Sequence, residues 1–387
     1  MLHDRFLRRA LGRAALGAAL GALVPGHRRG AALAGAAAGA AIERPVAGAP
    51  LALAAVAARD PVGAVAGAAL GALTTRVWPT APRTAAELRR HNTTVAVDPC
   101  TDGAGVVIVV NLGAGSAASS ATAATIAERL PAAEIVEPGE DDDVGEALAK
   151  AAARATVALG AAGGDGTLSA AAALAHDRGL PLLALPAGTL NHFARDLGLL
   201  TIDDAIDALQ TGQAVAVDLA AAGDAAFVNT ASFGAYTDLV EARERLEARV
   251  EKWPAMAVAL VQVLRRAEPV EVTVDGHRRR LWLGFIGNGR YHPSGFAPTW
   301  REVLNDGRLD IRLVDAARPL ARLRLLLAVL TGRLGRCTVY EQRVAPQLEL
   351  VADADLPIAL DGELRRLPTR VSLSKRAPVL LVHAPHR

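Results

Sequence analysis

Gly163-Gly164-Asp165-Gly166-Thr167 decides how this chain folds. The five residues follow an apolar run that begins at Thr156 and precede an alanine-rich stretch, Leu168 to Ala175, so a strand, a glycine loop and a helix start come in a row. That arrangement aims backbone N–H groups and the positive end of a helix at a bound phosphate. Asp165 adds a carboxylate, which a plain anion cradle has no use for. It makes chemical sense where Mg²⁺ stands between carboxylate and phosphate, or where a hydroxyl must lose its proton to attack phosphorus. A glycine turn that serves only tight geometry is the competing reading.

After the next apolar strand, Leu180 to Leu185, the chain reads PAGTLNHFARDLG over 186–198, again a strand, a turn and a helix start. Two consecutive parallel strands put both loops at one carboxyl edge of a sheet, where α/β folds bind ligands. Upstream, strand Val106 to Val110, helix Ser119 to Leu130, strand Ala133 to Glu137 and helix Val144 to Ala155 extend the alternation. It predicts a parallel sheet with helices on both faces up to about Gln213. Beyond Asp218 come short alternating strands, Val270 to Val274, Leu281 to Ile286 and Leu309 to Val314, with Asp-Gly turns at 275–276, 306–307 and 361–362. These predict antiparallel hairpins and a β-sandwich. A charged helix around Leu239 to Arg266 and a leucine-rich one, Leu320 to Leu334, interrupt it; the second reads as core or as a membrane-contacting face.

The 387 residues suffice for two or three domains. With 51% hydrophobic but only 3% aromatic residues, packing must rely on small side chains at close approach. A formal net charge of +2 gives no case for nucleic acid as a partner. Two cysteines, Cys100 and Cys337, argue against a disulfide scaffold or a zinc site. Neither a Walker A loop nor an HExxH pattern occurs.

Residues 1–80 are built from Ala/Gly/Leu blocks, each shorter than the about 20 apolar residues a spanning helix needs, and broken by Glu43, Arg44, Arg59 and Asp60. They are expected as helices packed on or lying in a membrane surface. Residues 81–103, with Pro82, Pro99 and many polar side chains, read as a linker, 104–215 as a nucleotide-binding α/β domain and 216–387 as a β-sandwich domain.

The GGDGT loop and the PAGTLNHFARDLG segment resemble the diacylglycerol kinase catalytic family, which includes bacterial soluble lipid kinases and sphingosine and ceramide kinases. The resemblance covers about residues 104 to 384 and extends to NLGAGS at 111–116, NTASFG at 229–234, NDGRLD at 305–310 and DGE at 361–363. Leu112, where the family usually has proline, and His192, where it often has aspartate, are small departures. Residues 1–80 also resemble the degraded end of a membrane phosphatidic-acid-phosphatase-type domain, without the histidines such a phosphatase needs.

The resemblance implies an ATP- and Mg²⁺-dependent lipid kinase with two domains, the β-sandwich at 216–387 being the lipid-binding one, and its site in the cleft between them. Gly163, Gly164, Gly166 and Thr167 would contact the ATP phosphates, with Asn111, Gly115 and Ser116 closing the other side and Gly188, Thr189 and Asn191 forming the second loop. Thr189 and Asn191 as plain helix caps remain an alternative. Asp165 would act on the Mg-nucleotide or as base, Glu363 as general base, and Asp218 would position Mg²⁺ or ATP. Asp306 and Asp310, with the Leu309 carbonyl, resemble a structural magnesium site. Diacylglycerol is the implied acceptor and the inner, cytoplasmic face of the membrane the implied location. Two rival readings are an NAD kinase-like enzyme, which shares GGDGT, and a catalytically weak membrane-associated lipid- or nucleotide-binding protein. The sequence leaves the assembly state open, a homodimer included.

Overall fold

The computed structural model describes residues 92–112, 117–139, 141–188, 191–236, 267–295, 298–330 and 333–386. The expectations for residues 1–80 and for the charged helix around Leu239 to Arg266 lie outside them, as do Gly115, Ser116 and Thr189.

Five consecutive β-branched residues make β2 (Val106–Val110), and all five are buried. On one side it pairs in parallel with β3 (Glu134–Val136), on the other with β4 (Ala158–Gly163), and β4 pairs in parallel with β5 (Leu182–Pro186). Runs buried on both faces are what a parallel sheet covered by helices requires. The close approach foreseen from the small-residue composition is visible at Gly160, where an added Cβ would stand 2.6 Å from Ile108.

Several helices show why they start or end. After α1 (Ala117–Arg129), α2 (Val144–Arg154) is capped by Asp143, whose carboxylate accepts from the N–H groups of Gly145 and Glu146, and it buries Leu148, Ala151 and Ala152. Following GGDGT, α3 (Asp165–Arg178) ends at Gly179, whose φ of 64° suits a residue without a Cβ. After the second loop come the short α4 (His192–Asp196) and α5 (Ile202–Gln210), the latter with a capping box between Thr201 and Asp204.

The antiparallel half is built from β6 (Gln213–Ala222), β7 (Ala225–Phe227), β8 (Thr230–Gly234), β9 (Val270–Val274), β10 (His277–Asn288), β13 (Leu309–Asp315), β14 (Tyr340–Ala345), β15 (Gln347–Ala352), β16 (Leu356–Leu360), β17 (Glu363–Leu367) and β18 (Arg370–His383), with a small separate pair, β11 (Tyr291–His292) and β12 (Trp300–Arg301). The leucine-rich stretch forms α6 (Ala321–Leu330), which buries Ala321 and Leu325 beside Trp282 and Leu283 while Leu323 stays exposed.

Three expectations need correction. The stretch read as a linker contributes β1 (Thr94–Ala96), which completes an edge by pairing with the start of β6. The boundary placed at 215/216 falls inside β6, which runs on through ten residues because β18 pairs with it along both halves. The Asp306-Gly307 turn joins no hairpin, whereas Asp275-Gly276 and Asp361-Gly362 do, with positive φ at all four residues. Through β18, which pairs with β15, β6 and β5, the two halves share one 16-stranded sheet among the described residues.

Candidate active site

The loops after β2, β4 and β5 meet at the carboxyl edge of the parallel strands. Asn111 Nδ2 donates to Thr167 Oγ1 at 3.0 Å, which ties the first loop to GGDGT. A Cβ on Gly163 would stand 2.9 Å from Thr167, and one on Gly188 would reach 2.4 Å from Gly164 Cα, so both glycine loops touch backbone to backbone. Gly164 is the N-cap of α3 and supplies no side-chain cap. The first-turn N–H groups of α3 are thereby left for an anion. Asn191, with φ of 49°, accepts from Gly188 N at 3.0 Å and donates to Gly188 O at 2.7 Å. It closes the second turn on itself, and its side chain makes no cap bond to α4.

Asp165 is what caps α4. Its Oδ2 accepts from His192 N and its Oδ1 from Phe193 N, both at 3.1 Å, and Asn229 Nδ2 approaches Oδ1 at 3.5 Å. The carboxylate of the first signature therefore holds the helix of the second.

Glu363 opens β17 after the Asp361-Gly362 turn, and its side chain is 61% exposed with Arg365 as an ion-pair partner at 3.3 Å. A Cβ on Gly166 would stand 3.1 Å from Glu363 Oε1, so the carboxylate of the antiparallel half hangs over the glycine loop of the parallel half. What holds the hairpin there is Asp361, a residue the sequence reading did not single out by itself. Its carboxylate turns inward and accepts from Ser169 Oγ of α3 at 2.5 Å and from the N–H groups of Val228, Asn229 and Thr230 at 2.7 to 2.8 Å. Burial pushes this carboxyl above the usual carboxylate range, against the Ser169 hydroxyl and the three N–H groups, which favour its ionised form.

A buried polar network joins the two halves. Arg301, fully enclosed, donates through Nε to Asp196 of α4 at 2.7 Å, through Nη1 to the carbonyls of Val228 and Asn288, and through Nη2 to Asn229 Oδ1. Asp196, pushed upward by burial, is drawn back toward its ionised form by Arg301. Neither Arg301 nor Asp361 announces itself in the sequence, because their partners are 60 or more residues away, apart from Asn288, which is 13 from Arg301.

Asp218, in β6, is 5% exposed; its Oδ2 accepts from Gly307 N at 2.7 Å and faces Lys375 Nζ at 3.4 Å. It is engaged with the NDG turn rather than open to the cleft. Lys375 also donates to Asn288 Oδ1, and burial lowers its pKa to about 8.

Of the residues that the resemblance assigns to structural magnesium, Asp310 does not fit that role. Asp310 is fully buried, and its Oδ2 is taken by Arg312 and by Tyr291 N. Asp306 accepts from Arg308 N at 2.9 Å and Arg290 N at 3.2 Å. Leu309, assigned through its carbonyl, opens β13 between Asn288 and Ala345 of the neighbouring strands. Among the described residues no three His, Cys, Asp or Glu side chains converge as a metal site.

Comparison with known proteins bears on the family and the fold. Residues 105–222 match the diacylglycerol kinase catalytic domain, and residues 229–382 match the YegS C-terminal NAD kinase beta sandwich-like domain. A probable lipid kinase YegS-like protein of Yersinia enterocolitica is 33% identical over 237 residues, which cover 58% of this chain and 78% of that protein. A diacylglycerol kinase of Mycobacterium tuberculosis is 26% identical over 316 residues, 75% of this chain and 97% of that protein. The crystal structure of a putative diacylglycerol kinase from Bacillus anthracis shares the fold, with a TM-score of 0.55 and 22% identity over 72% of this chain and 97% of that one. The chain belongs to the diacylglycerol kinase catalytic family. It is a lipid kinase of that family, with ATP as the phosphoryl donor.

Proposed function

We propose that the chain phosphorylates diacylglycerol to phosphatidic acid, using Mg–ATP at the cytoplasmic face of a membrane. The observation that carries this reading is the Glu363 carboxylate beside Gly166, a base candidate next to a phosphate loop. ATP phosphates lie along the N–H groups of the GGDGT loop and the start of α3. Mg²⁺ arrives with the nucleotide as part of the substrate, keeping most of its waters as this ion does. Glu363 takes the proton of the acceptor hydroxyl, the alkoxide oxygen bonds to the γ-phosphorus, and the bond to the β-phosphate oxygen breaks to release ADP. Asp165 holds the second loop in register through α4. The substrate lipid reaches the cleft from a membrane surface, on which residues 1–80 help to hold the protein; among the described residues no helix is long and apolar enough to cross a membrane.

The test is to offer Mg–ATP with diacylglycerol, with ceramide and with NAD in separate reactions. Phosphorylation of diacylglycerol is expected. Preference for ceramide would keep the mechanism and change the acceptor. The NAD kinase-like name of the C-terminal domain match makes NAD the informative rival, and its phosphorylation in place of lipid would overturn the reading. Transfer to none of the three would favour a binding protein.

A further inference from the structure

We infer that Lys375 is a positioning residue of the kinase site: its ammonium supplies the positive charge beside the 305–307 turn, where a divalent cation would otherwise sit, and fixes Asp218 and Asn288 behind Arg301 and Asn229. This rests on the kinase reading for its rate prediction but not for its ion-binding prediction.

The argument begins with β18. Its pairing with β6 is regular from Leu373 to Arg376 and shifts before Leu380, so Lys375 lies just ahead of an irregularity in the ladder. Irregularities of this kind re-aim side chains. The lysine points inward, its side chain 11% exposed, and meets Asp218 Oδ2 at 3.4 Å and Asn288 Oδ1, with Asp306 acting on it from the turn. Burying an ammonium costs several kcal/mol unless it is paired and hydrogen-bonded, so these partners are what keeps it there.

The same contacts orient the rest of the site. Because Asn288 Oδ1 receives the lysine, its Nδ2 must face the other way, and it donates to the carbonyls of Asp218 and Val228, both at 2.8 Å. The Asn288 carbonyl accepts from Arg301, which reaches Asn229, which reaches Asp165. Lys375 therefore stands at one end of a chain of contacts whose other end is the GGDGT carboxylate. A divalent ion held by Asp306 would meet the charge of this ammonium, which Asp306 already attracts, while Asp310 is matched to Arg312, and like charges repel.

The experiment is a titration of the nucleotide-free full chain with Mn²⁺, followed by the resonance of the free ion and by thermal melting. Native protein and Lys375→Arg are expected to show no Mn²⁺ site that depends on Asp306. Lys375→Ala is expected to gain one, melting at higher temperature as Mn²⁺ is added, and to lose it when Asp306→Asn is combined with it. A native protein whose Mn²⁺ uptake is abolished by Asp306→Asn, or a Lys375→Ala protein that gains no site, overturns the inference. Should Lys375→Ala fail to fold, native against Asp306→Asn still decides. In the lipid kinase reaction Lys375→Ala should lower kcat about tenfold, the order of effect that slight misplacement of a reacting group produces, and Lys375→Arg should recover most of it. Equal loss in both variants would contradict a charge-based positioning role. Absence of lipid phosphorylation by native protein would defeat the kinase reading and leave the ion-binding result to stand.

Discussion

Glu363 and Asp165 are both carboxylates at the GGDGT loop, and their surroundings set them different tasks. Glu363 is mostly exposed and has one ion-pair partner, a contact of the kind worth about 0–1 kcal/mol. Glu363→Gln is therefore expected to leave the melting temperature nearly unchanged while lowering kcat by about 10²- to 10⁴-fold, the usual contribution of a general base. Asp165 caps α4 through two backbone N–H groups. Asp165→Asn is expected to lower both activity and stability, the latter by about 1 kcal/mol, the worth of a helix cap, read by thermal melting beside the assay. His383, 1% exposed on β18, sets a pH dependence: burial lowers its pKa to about 4 from the ordinary 6.5. The unfolded chain thus takes up a proton near pH 6.5 that the folded chain refuses until about 4, so stability is full above 6.5 and falls by about 3 kcal/mol toward pH 4. His383→Leu should flatten that fall in melting curves recorded from pH 7 to 4. At this scale the sequence showed the signature residues and missed Arg301, Asp361 and Lys375 as functional groups. Each is an ordinary charged residue on or beside a strand until a partner from distant sequence closes on it.

The elements that matter most are the two glycine loops and the β16–β17 hairpin. Gly188 leaves no room for a side chain, since its Cβ would meet Gly164 backbone at 2.4 Å, whereas a Cβ on Gly164 finds nothing nearer than 3.9 Å. Gly188→Ala should separate the loops, raising the KM for ATP and costing clearly more stability than Gly164→Ala, which ATP-dependent kinetics and melting of the pair will check. For the hairpin, Asp361→Ala removes the acceptor of four hydrogen bonds and strands three part-buried N–H groups, an expected loss of about 3 kcal/mol, together with kcat as Glu363 drifts. Ser169→Ala removes one donor and should cost about 1 kcal/mol, and denaturant unfolding of the two variants distinguishes the cases. Strands β2 and β9 were legible to the residue because their apolar and alternating patterns are unbroken. By contrast, β1 has only three residues, and β18 carries Lys375, Arg376 and Pro378 in mid-strand, so neither shows a readable period.

At the scale of the molecule, β6 and β18 make the parallel and antiparallel halves one sheet, and Arg301 with its partners makes their junction a built one. The two-part architecture was visible in the change of texture after Asp218; the continuity across it was not, because it depends on the last 14-residue strand returning to the first half. The consequence for the proposed function is that the Glu363 carboxylate of one half is carried over the GGDGT loop of the other. The most direct test is transfer of the labelled γ-phosphate of ATP to a mixed lipid extract by native chain, Asp165→Asn and Glu363→Gln. A labelled lipid formed by native protein and lost in Glu363→Gln of unchanged melting temperature is the expected result; a native protein that labels no lipid, or a Glu363→Gln variant that labels it at the native rate, would contradict the account.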